Sequence, residues 1–405
     1  MKILYILNKF PTLSETFILN EIIELLDRGH DVHILSVYKP TEGLIHEQIL
    51  KRNLLDRTKY FGLSSSRREL EYFMGLIDFL RLFSGQKEPS SSHRARILDL
   101  WDKTFQGGEA LRSLFCWIRE TKINHLHAHF AGDSARMGYI IHKALEIPYT
   151  LTTHAYDLFV GAPKSKKVLF DAAKKVITVS EFNKNYIAKN FQISSERIKV
   201  VRCGLDLKSI RPVPRYSLAP FRIVSVSRLV EKKGYPYLIK ACRILKDRGH
   251  SFFCEIVGDG PMRTAIEILI RKNELTGEVR LGGAKTREKV QEFIRTGSVF
   301  VLPCLVAPNQ DMDGIPVVLM EAMALEIPVI STDVSGVPEL IDDGINGWLV
   351  PQKDAAALAV AIIKLKENPL LVEKIRKAGR EKVLAGFDIQ DSVDNLEKCF
   401  SQQSA

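Results

Sequence analysis

Asp313 and Glu321 stand with seven residues between them in the run Asp311-Met312-Asp313-Gly314-Ile315-Pro316-Val317-Val318-Leu319-Met320-Glu321-Ala322-Met323-Ala324. Their types and spacing invite chemistry. A helix that is apolar all round is buried, so the Glu321 carboxylate needs a partner, either a cation or donors from a ligand. Its two oxygens suit a vicinal diol. Pro316 fits a first helical position and Gly314 keeps the preceding turn open, so the helix is expected to start just after Asp313. The positive end of that helix would be a seat for phosphate. A core salt bridge is the competing reading of Glu321.

This run resembles the signature of an acidic residue, seven spacers and Glu carried by retaining glycosyltransferases of the large GT-B family 4, with Asp313 where the family usually has Glu. The N-terminal Phe10-Pro11-Thr12-Leu13-Ser14-Glu15-Thr16-Phe17-Ile18 resembles polysaccharide-assembly members such as colanic-acid-type transferases. The chain follows the family plan through the helix after Pro351. The resemblance implies a transferase (EC 2.4) that moves a hexosyl group from a UDP- or GDP-sugar to a hydroxyl of a lipid-linked glycan, in polysaccharide or exopolysaccharide biosynthesis. It also implies same-face attack, with the leaving phosphate taking the acceptor's proton.

Each part of a nucleotide sugar then has a counterpart in the second half of the chain. Val226-Ser227-Arg228-Leu229-Val230-Glu231-Lys232-Lys233-Gly234 resembles the family segment whose Arg and Lys neutralise the leaving diphosphate, here Arg228 and Lys233. Fixed cations there favour the transition state, because charge grows on the phosphate as the glycosidic bond breaks. They also replace a metal. Asp311-Met312-Asp313 is the one Asp-x-Asp that stands out, and it reads as the loop entering the phosphate-binding helix; no metal and no cofactor besides the donor substrate is expected. Val257-Gly258-Asp259-Gly260-Pro261 leaves room for a ligand against backbone and is not GxGxxG, so a dehydrogenase gains little support. In the family, similar glycines line the nucleotide pocket, and the backbone near Gly282 and Gly283 meets the base. By the same match Glu321 takes the ribose hydroxyls and Asp313 the donor sugar. The N–H groups of Gly314 and Ile315, ahead of Pro316, approach the sugar or phosphate.

In the first half, His125, His127 and His129 fall on one face of a strand, which raises a metal. With no Cys near and Asp133 the only close carboxylate, a metal is not expected. The resemblance places His129 beside the reacting sugar and leaves His125 and His127 structural. Thr152-Thr153-His154-Ala155-Tyr156-Asp157 resembles the family's His-Gly-x-Asp loop, with Ala155 for glycine, and makes His154 and Asp157 acceptor-side candidates. Many relatives carry Gly-Gly near the N-terminus, where this chain has Leu13-Ser14-Glu15-Thr16. Ser14 is expected to cap the helix, with free N–H groups toward diphosphate or acceptor, and Glu15 to touch the acceptor.

The elements that must hold these residues read as two doubly wound α/β units. Strands are expected at Ile3–Leu7, Val32–Val37, Asn124–His129, Tyr149–Thr153 and Val176–Val179, with helices Glu15–Arg28, Ser134–Leu145 and Glu181–Asn190 among them. A second series runs from strand Arg222–Ser227 through strands Phe252–Val257, Val279–Leu281, Val299–Pro303 and Pro328–Ser331. This gives an acceptor-side domain over 1–205, a Pro-rich linker over 206–220 and a nucleotide-sugar domain over 221–385. A final helix over 386–405 returns to the first domain, as in the family. The ligand belongs in the cleft at the carboxyl ends of both sheets. Between about 41 and 122 the pattern becomes amphipathic helices, read as an insertion that packs on the first domain or docks to a membrane.

Through Gly204 there are 30 basic and 22 acidic residues, an excess of eight in a chain whose net charge is +10. Arg67, Arg68, Arg94, Arg96 and Lys164 lie among clusters that suit an anionic acceptor or anionic membrane surface as well as plain solvation. No nucleic-acid motif accompanies them, so nucleic acid is not an expected partner. The six cysteines show no CxxC pair and read as free thiols. With no long apolar run and Met1 leading straight into a strand, the expected location is cytoplasmic, at most peripheral at the inner face of a membrane. A GT-B nucleotide-sugar epimerase and a non-catalytic nucleotide-sugar or glycan-binding protein are the rival readings.

Overall fold

The computed structural model describes residues 1–40, 45–62, 108–161, 163–212 and 220–401. Two parallel sheets organise it. The first has the order β3-β2-β1-β4-β5-β6-β7, from β1 (Lys2–Lys9), β2 (Asp31–Tyr38), β3 (Thr58–Tyr60), β4 (His125–His129), β5 (Tyr149–Thr153), β6 (Lys175–Thr178) and β7 (Ile198–Val200). The second has the order β10-β9-β8-β11-β12-β13, from β8 (Arg222–Val226), β9 (Phe253–Val257), β10 (Val279–Leu281), β11 (Val299–Val301), β12 (Val329–Thr332) and β13 (Trp348–Val350). Helices cover both faces, so the central strands read as continuous apolar runs rather than alternations: Ile3 to Leu7 of β1 are all buried.

Three edge strands, β3, β7 and β13, escape the sequence pattern. Each has only three residues and is partly exposed. β3 lies within the stretch assigned to a helical insertion and instead extends the first sheet beside β2, with Leu35 opposite Lys59. The helix Gly108–Glu120 from the same stretch sends Leu111, Leu114, Phe115 and Ile118 into the first domain's core, which settles its packing role. Residues 41–44 and 63–107 of the insertion, including Arg67, Arg68, Arg94 and Arg96, lie outside the described residues, as do 213–219 of the linker.

The chain passes between lobes twice, and the passages touch. Leu205 donates its N–H to Phe387 at 2.9 Å and accepts from Ile389 at 3.0 Å. A Cβ on Gly204 would stand 2.4 Å from the Ile389 Cα, so only glycine permits this approach. The helix Ile389–Ser401 then packs Ile389, Val393, Leu396 and Phe400 against Ile18, Ile22 and Leu25 of the helix Thr16–Asp27. Arg28 clasps Asp394 and Glu397 across that contact. No helix among the described residues is long and apolar enough to cross a membrane.

Strand order reverses between β1 and β4 in the first sheet and between β8 and β11 in the second. Crevices at such reversals, outside the carboxyl ends of the strands, are where ligands bind in open α/β sheets. The candidate residues from both halves collect there.

Candidate functional site

In the second lobe, β8 ends in Ser227 and Arg228, a short turn spans Glu231–Lys233, and the helix Tyr235–Asp247 follows. Lys233 Nζ lies 2.6 Å from one oxygen of Asp313, while Lys232 Nζ lies 3.3 Å from the other and 3.0 Å from Asp311. Two lysines thus face two aspartates, all four side chains largely buried. Burial pushes the Asp313 carboxyl up, but Lys233 and Lys232 outweigh it and hold it down at about 2. Burial would lower Lys233; Asp313, foremost among its neighbours, raises it above its ordinary value. Arg228 is exposed and makes no ion pair among the described residues.

The helix carrying Glu321 runs Val317–Ala324, and Pro316 is its N-cap with extended backbone rather than its first helical residue. The Pro316 ring fixes φ near −63°, and its ψ of 120° keeps it out of the helix. Glu321 is 5% exposed. Its carboxylate makes no hydrogen bond among the described residues, and the Arg287 Nε stands 3.8 Å away. Burial raises its pKa, and Arg287 opposes this only in part. Arg287 itself gives Nη1 to Asn20 Oδ1 at 2.6 Å, while its Nε and Nη2 have no hydrogen-bond partner among the described residues. Asn20 and Arg287 form part of the wall of a cavity of about 600 Å³ that also meets Leu19, Asp206 and Asp388.

The glycines expected along the nucleotide pocket have a packing reason of their own. A Cβ on Gly258 would meet the Ser227 carbonyl oxygen at 1.9 Å, and one on Gly260 the Leu229 oxygen at 2.5 Å, so the two loops run backbone against backbone. Asp259, exposed, accepts from the Gly260 N–H at 2.7 Å. The Gly283 carbonyl accepts from the Gly258 N–H at 2.9 Å, and Gly282 donates to Ile256 at 2.8 Å, which sets this pair beside the same loop. Gly314 faces the other lobe: a Cβ there would be 3.1 Å from Val179 and 3.3 Å from the His154 carbonyl. Ile315, next along, is buried against Gly336.

Across the cleft, β4 and β5 carry the histidines. His125 and His127 share the Thr150 hydroxyl at 2.9 and 2.8 Å, and His127 Nε2 is 3.1 Å from Thr152 Oγ1. Burial lowers His125 to about 3 and His127 well below the usual imidazole range, so both are neutral. His129 Nδ1 is 3.0 Å from His154 Nε2, and its Nε2 is 3.1 Å from Glu21 Oε1, which also takes the Tyr5 hydroxyl at 2.5 Å. Glu21, His127 and His129 bring one ligand-type atom each within 4.8 Å of one another. Hydrogen bonds to Tyr5, His154 and the threonines already engage these side chains, and no metal is assigned to them.

Two acceptor-side expectations change. Ser14 is exposed and does not cap the helix Thr16–Asp27; Glu15 occupies the cap position, without a side-chain cap bond, because the helix starts one residue later than the Ser14 reading requires. Asp157 is buried and spends its oxygens on the backbone N–H groups of Ala131 at 2.8 Å, Ala155 at 3.0 Å and His154 at 3.1 Å. It braces the loop that presents His154 and offers no open carboxylate to a ligand.

Sequence reasoning passed over Glu21, Tyr5, Lys232, Arg287 and Asn20. Asn20 left a signal, being a polar residue inside the apolar stripe Ile18, Leu19, Ile22 and Leu25. Glu21 left none, since an acid beside such a stripe looks like an ordinary solvated position.

Comparison with known proteins identifies the family and the fold. Residues 14–209 match the profile described as Glycosyltransferase Family 4, and residues 208–382 that described as Glycosyl transferases group 1. The putative colanic acid biosynthesis glycosyltransferase WcaL of Escherichia coli K12 is 33% identical over 404 residues, covering 96% of this chain and 97% of that protein. The amylovoran biosynthesis glycosyltransferase AmsK of Erwinia amylovora is 30% identical, covering 96% of each. Among solved structures, Anabaena Alr3699/HepE in complex with UDP and glucose superposes with a TM-score of 0.72 at 16% identity, covering 99% of both chains. A point mutant of S. aureus TarM, in complex with Fondaparinux, alpha-GlcNAc-glycerol and UDP, gives 0.73 at 14% identity, covering 99% of this chain and 100% of that one. The chain belongs to the family 4 glycosyltransferases and has the two-lobed GT-B fold.

Proposed function

We propose that this glycosyltransferase is a retaining, metal-independent hexosyltransferase that takes a sugar from a UDP- or GDP-linked donor to a hydroxyl of a lipid-linked glycan in exopolysaccharide assembly. The observation that carries the reading is Glu321: a buried carboxylate, 3.8 Å from its nearest cation, at the reversal point of the second sheet. A group left this unsatisfied in a stable core fits a ligand's hydroxyl pair. The names of WcaL and AmsK support the pathway, and the UDP complexes of HepE and TarM support a nucleotide-sugar donor.

In this reading the donor's diphosphate lies by Arg228, Lys233 and the start of the Glu321 helix. Phosphate oxygens then replace Asp313 on Lys233, which frees the Asp313 carboxylate for the donor sugar. The bond from the sugar carbon to the phosphate oxygen breaks as the acceptor oxygen bonds on the same face, and the acceptor's proton passes to the leaving phosphate. His129 and His154 face the sugar and acceptor, with Gly258, Gly260, Gly282 and Gly283 toward the nucleotide. The cations supply the charge a divalent ion would give, so EDTA should leave the rate nearly unchanged.

The test is product analysis with UDP- and GDP-sugars, with and without membranes carrying lipid-linked glycan. The expected result is one glycosylated product that keeps the donor's anomeric configuration and forms only with acceptor. Inverted product would overturn the retaining step, and a loss of rate in EDTA restored by Mg²⁺ or Mn²⁺ would overturn metal independence. Isomerised or hydrolysed donor without acceptor would favour an epimerase, and binding without turnover a non-catalytic protein. Peripheral attachment at the cytoplasmic face rests on the eight-charge excess of the first half. Binding to anionic vesicles should therefore weaken as salt shortens the Debye length below about 10 Å. Equal binding to neutral vesicles at low salt would remove that part of the proposal.

A further inference from the structure

Tyr5, Glu21, His129 and His154 form a hydrogen-bonded row that starts in the core of the first lobe and ends at the cleft. We propose that Glu21 is a positioning residue: through His129 it fixes the ring of His154 with a lone pair on Nδ1, and that atom receives a hydroxyl of the acceptor glycan. The acceptor's identity rests on the reading of the site given above. The attacking hydroxyl is a different one, free to give its proton to the leaving phosphate.

The argument is one of donor and acceptor counting. Tyr5 gives its single hydroxyl proton to Glu21 Oε1 at 2.5 Å. That same oxygen, with no proton of its own to return, lies 3.1 Å from His129 Nε2, so Nε2 carries the hydrogen. In the proposed row this is the one hydrogen on the His129 ring, which leaves a lone pair at Nδ1. His129 Nδ1 is 3.0 Å from His154 Nε2, a separation that two lone pairs do not tolerate, so His154 Nε2 is the donor. What remains on His154 is the Nδ1 lone pair, and Nδ1 makes no hydrogen bond among the described residues. His127 does not compete for Glu21, since its Nε2 is 3.7 Å away and both its nitrogens reach threonine hydroxyls.

The rest of the surroundings hold this ring in place. The imidazoles of His129 and His154 stack at 14° with centroids 5.3 Å apart, and Phe17 and Phe130 close on His154 at 4.6 and 4.7 Å. Asp157 takes its backbone N–H and Asn183 gives to its carbonyl. That carbonyl sits against Gly314, which leads into the Glu321 helix, so the half-buried ring stands where the two lobes meet. Burial keeps His154 neutral, with its pKa well below the usual range. A lone pair held in one direction selects for a hydroxyl donor and rejects an acceptor that lacks it.

The full chain with ¹⁵N-labelled histidine tests this by side-chain NMR, together with transfer kinetics of Glu21→Gln, Glu21→Leu and the unaltered protein. In the unaltered protein both His129 and His154 should carry hydrogen on Nε2. Glu21→Gln keeps an oxygen for Nε2–H and for Tyr5, so it should keep those tautomers and a near-normal KM for the acceptor. Glu21→Leu should mix the tautomers and raise the acceptor KM by about tenfold, the scale of one hydrogen bond, and by more than any change in the donor KM. Hydrogen on Nδ1 of His154 in the unaltered protein would overturn the proposal. So would equal loss in the Gln and Leu variants, or mixed tautomers without a change in acceptor KM. Should Glu21→Leu fail to fold, the spectrum of the unaltered protein and the Gln variant still decide. A protein that transfers no sugar at all would sink the function proposed above, while the tautomers would remain readable on their own.

Discussion

The two lobes line the cleft with different physics. In the second, Lys232 and Lys233 face Asp311 and Asp313 as ions at 2.6–3.3 Å. In the first, Tyr5, Glu21, His129 and His154 are joined by hydrogen bonds, and burial keeps His127 and His154 uncharged. The difference suits what each lobe would bind. A diphosphate carries charge that must be matched by cations able to change partners, whereas a glycan brings hydroxyls that must be met by atoms aimed in one direction. Ion pairs exchange; an ordered row of donors orients.

The sharpest way to break this contrast is Lys233→Met, which leaves Asp313 buried with only Lys232 beside it. Losing one partner of a buried pair costs about 3–5 kcal/mol, so urea unfolding at neutral pH should show a large loss, far above that of Glu21→Gln. Asp313 is depressed by its lysines to about 2, so its contribution is present above the unfolded carboxyl value of about 3.9 and is lost as pH falls through about 2. The variant should therefore lose less stability than the unaltered protein over that acid range. A neutral effect at pH 7 would show that the pair is loose in solution.

Next in size is Arg228→Ala. Its side chain is exposed and unpaired among the described residues, so the melting temperature should hold while turnover falls by about 10²–10³, the cost of one preorganised donor to developing charge. A fall in melting temperature with turnover intact would make it a structural residue. Smaller again is Glu339→Gln at the contact between lobes, where Glu339 accepts the N–H groups of Glu181 and Phe182 at 3.1 and 2.9 Å and lies 3.3 Å from Arg202. A charge at the start of a helix is worth about 0.3–1 kcal/mol. The variant should melt slightly lower and show a wider form in small-angle scattering, and an unchanged profile would mean that Gly314 and Gly336 hold the lobes closed without it.

The same contrast explains what could be read from the chain alone. The ionic site is local in sequence: Arg228 to Lys233 on one loop, and Asp311 to Glu321 on another loop and the helix it enters, each beside a strong apolar run. The alternation of strands and helices gave the two sheets for the same reason, and did not mark the short, partly exposed edge strands β3, β7 and β13. The row in the first lobe is assembled from residues 5, 21, 129 and 154, on two strands, a helix and a loop, so no window contains it. His129 and His154 could be named by resemblance, but the acid that orders them could not. Asp157 illustrates the converse: its place in a loop motif looks like a ligand contact, and three backbone N–H groups absorb it.

The central claim is that Glu321 is held for a ligand at some cost to the fold. Burial raises its pKa above the unfolded value of about 4.3, so whatever stability it gives is fully present below that value and is lost as pH rises through the folded value. At neutral pH, Glu321→Gln should leave the melting temperature unchanged or higher. Titration of UDP and GDP into both proteins, with melting curves recorded beside them, is the direct measurement. We expect one nucleotide to bind the unaltered protein and its affinity to fall by about tenfold or more in the variant, the scale of a charge-assisted hydrogen bond. A sharp drop in melting temperature with nucleotide affinity unchanged would make Glu321 the structural partner of Arg287 and contradict the account.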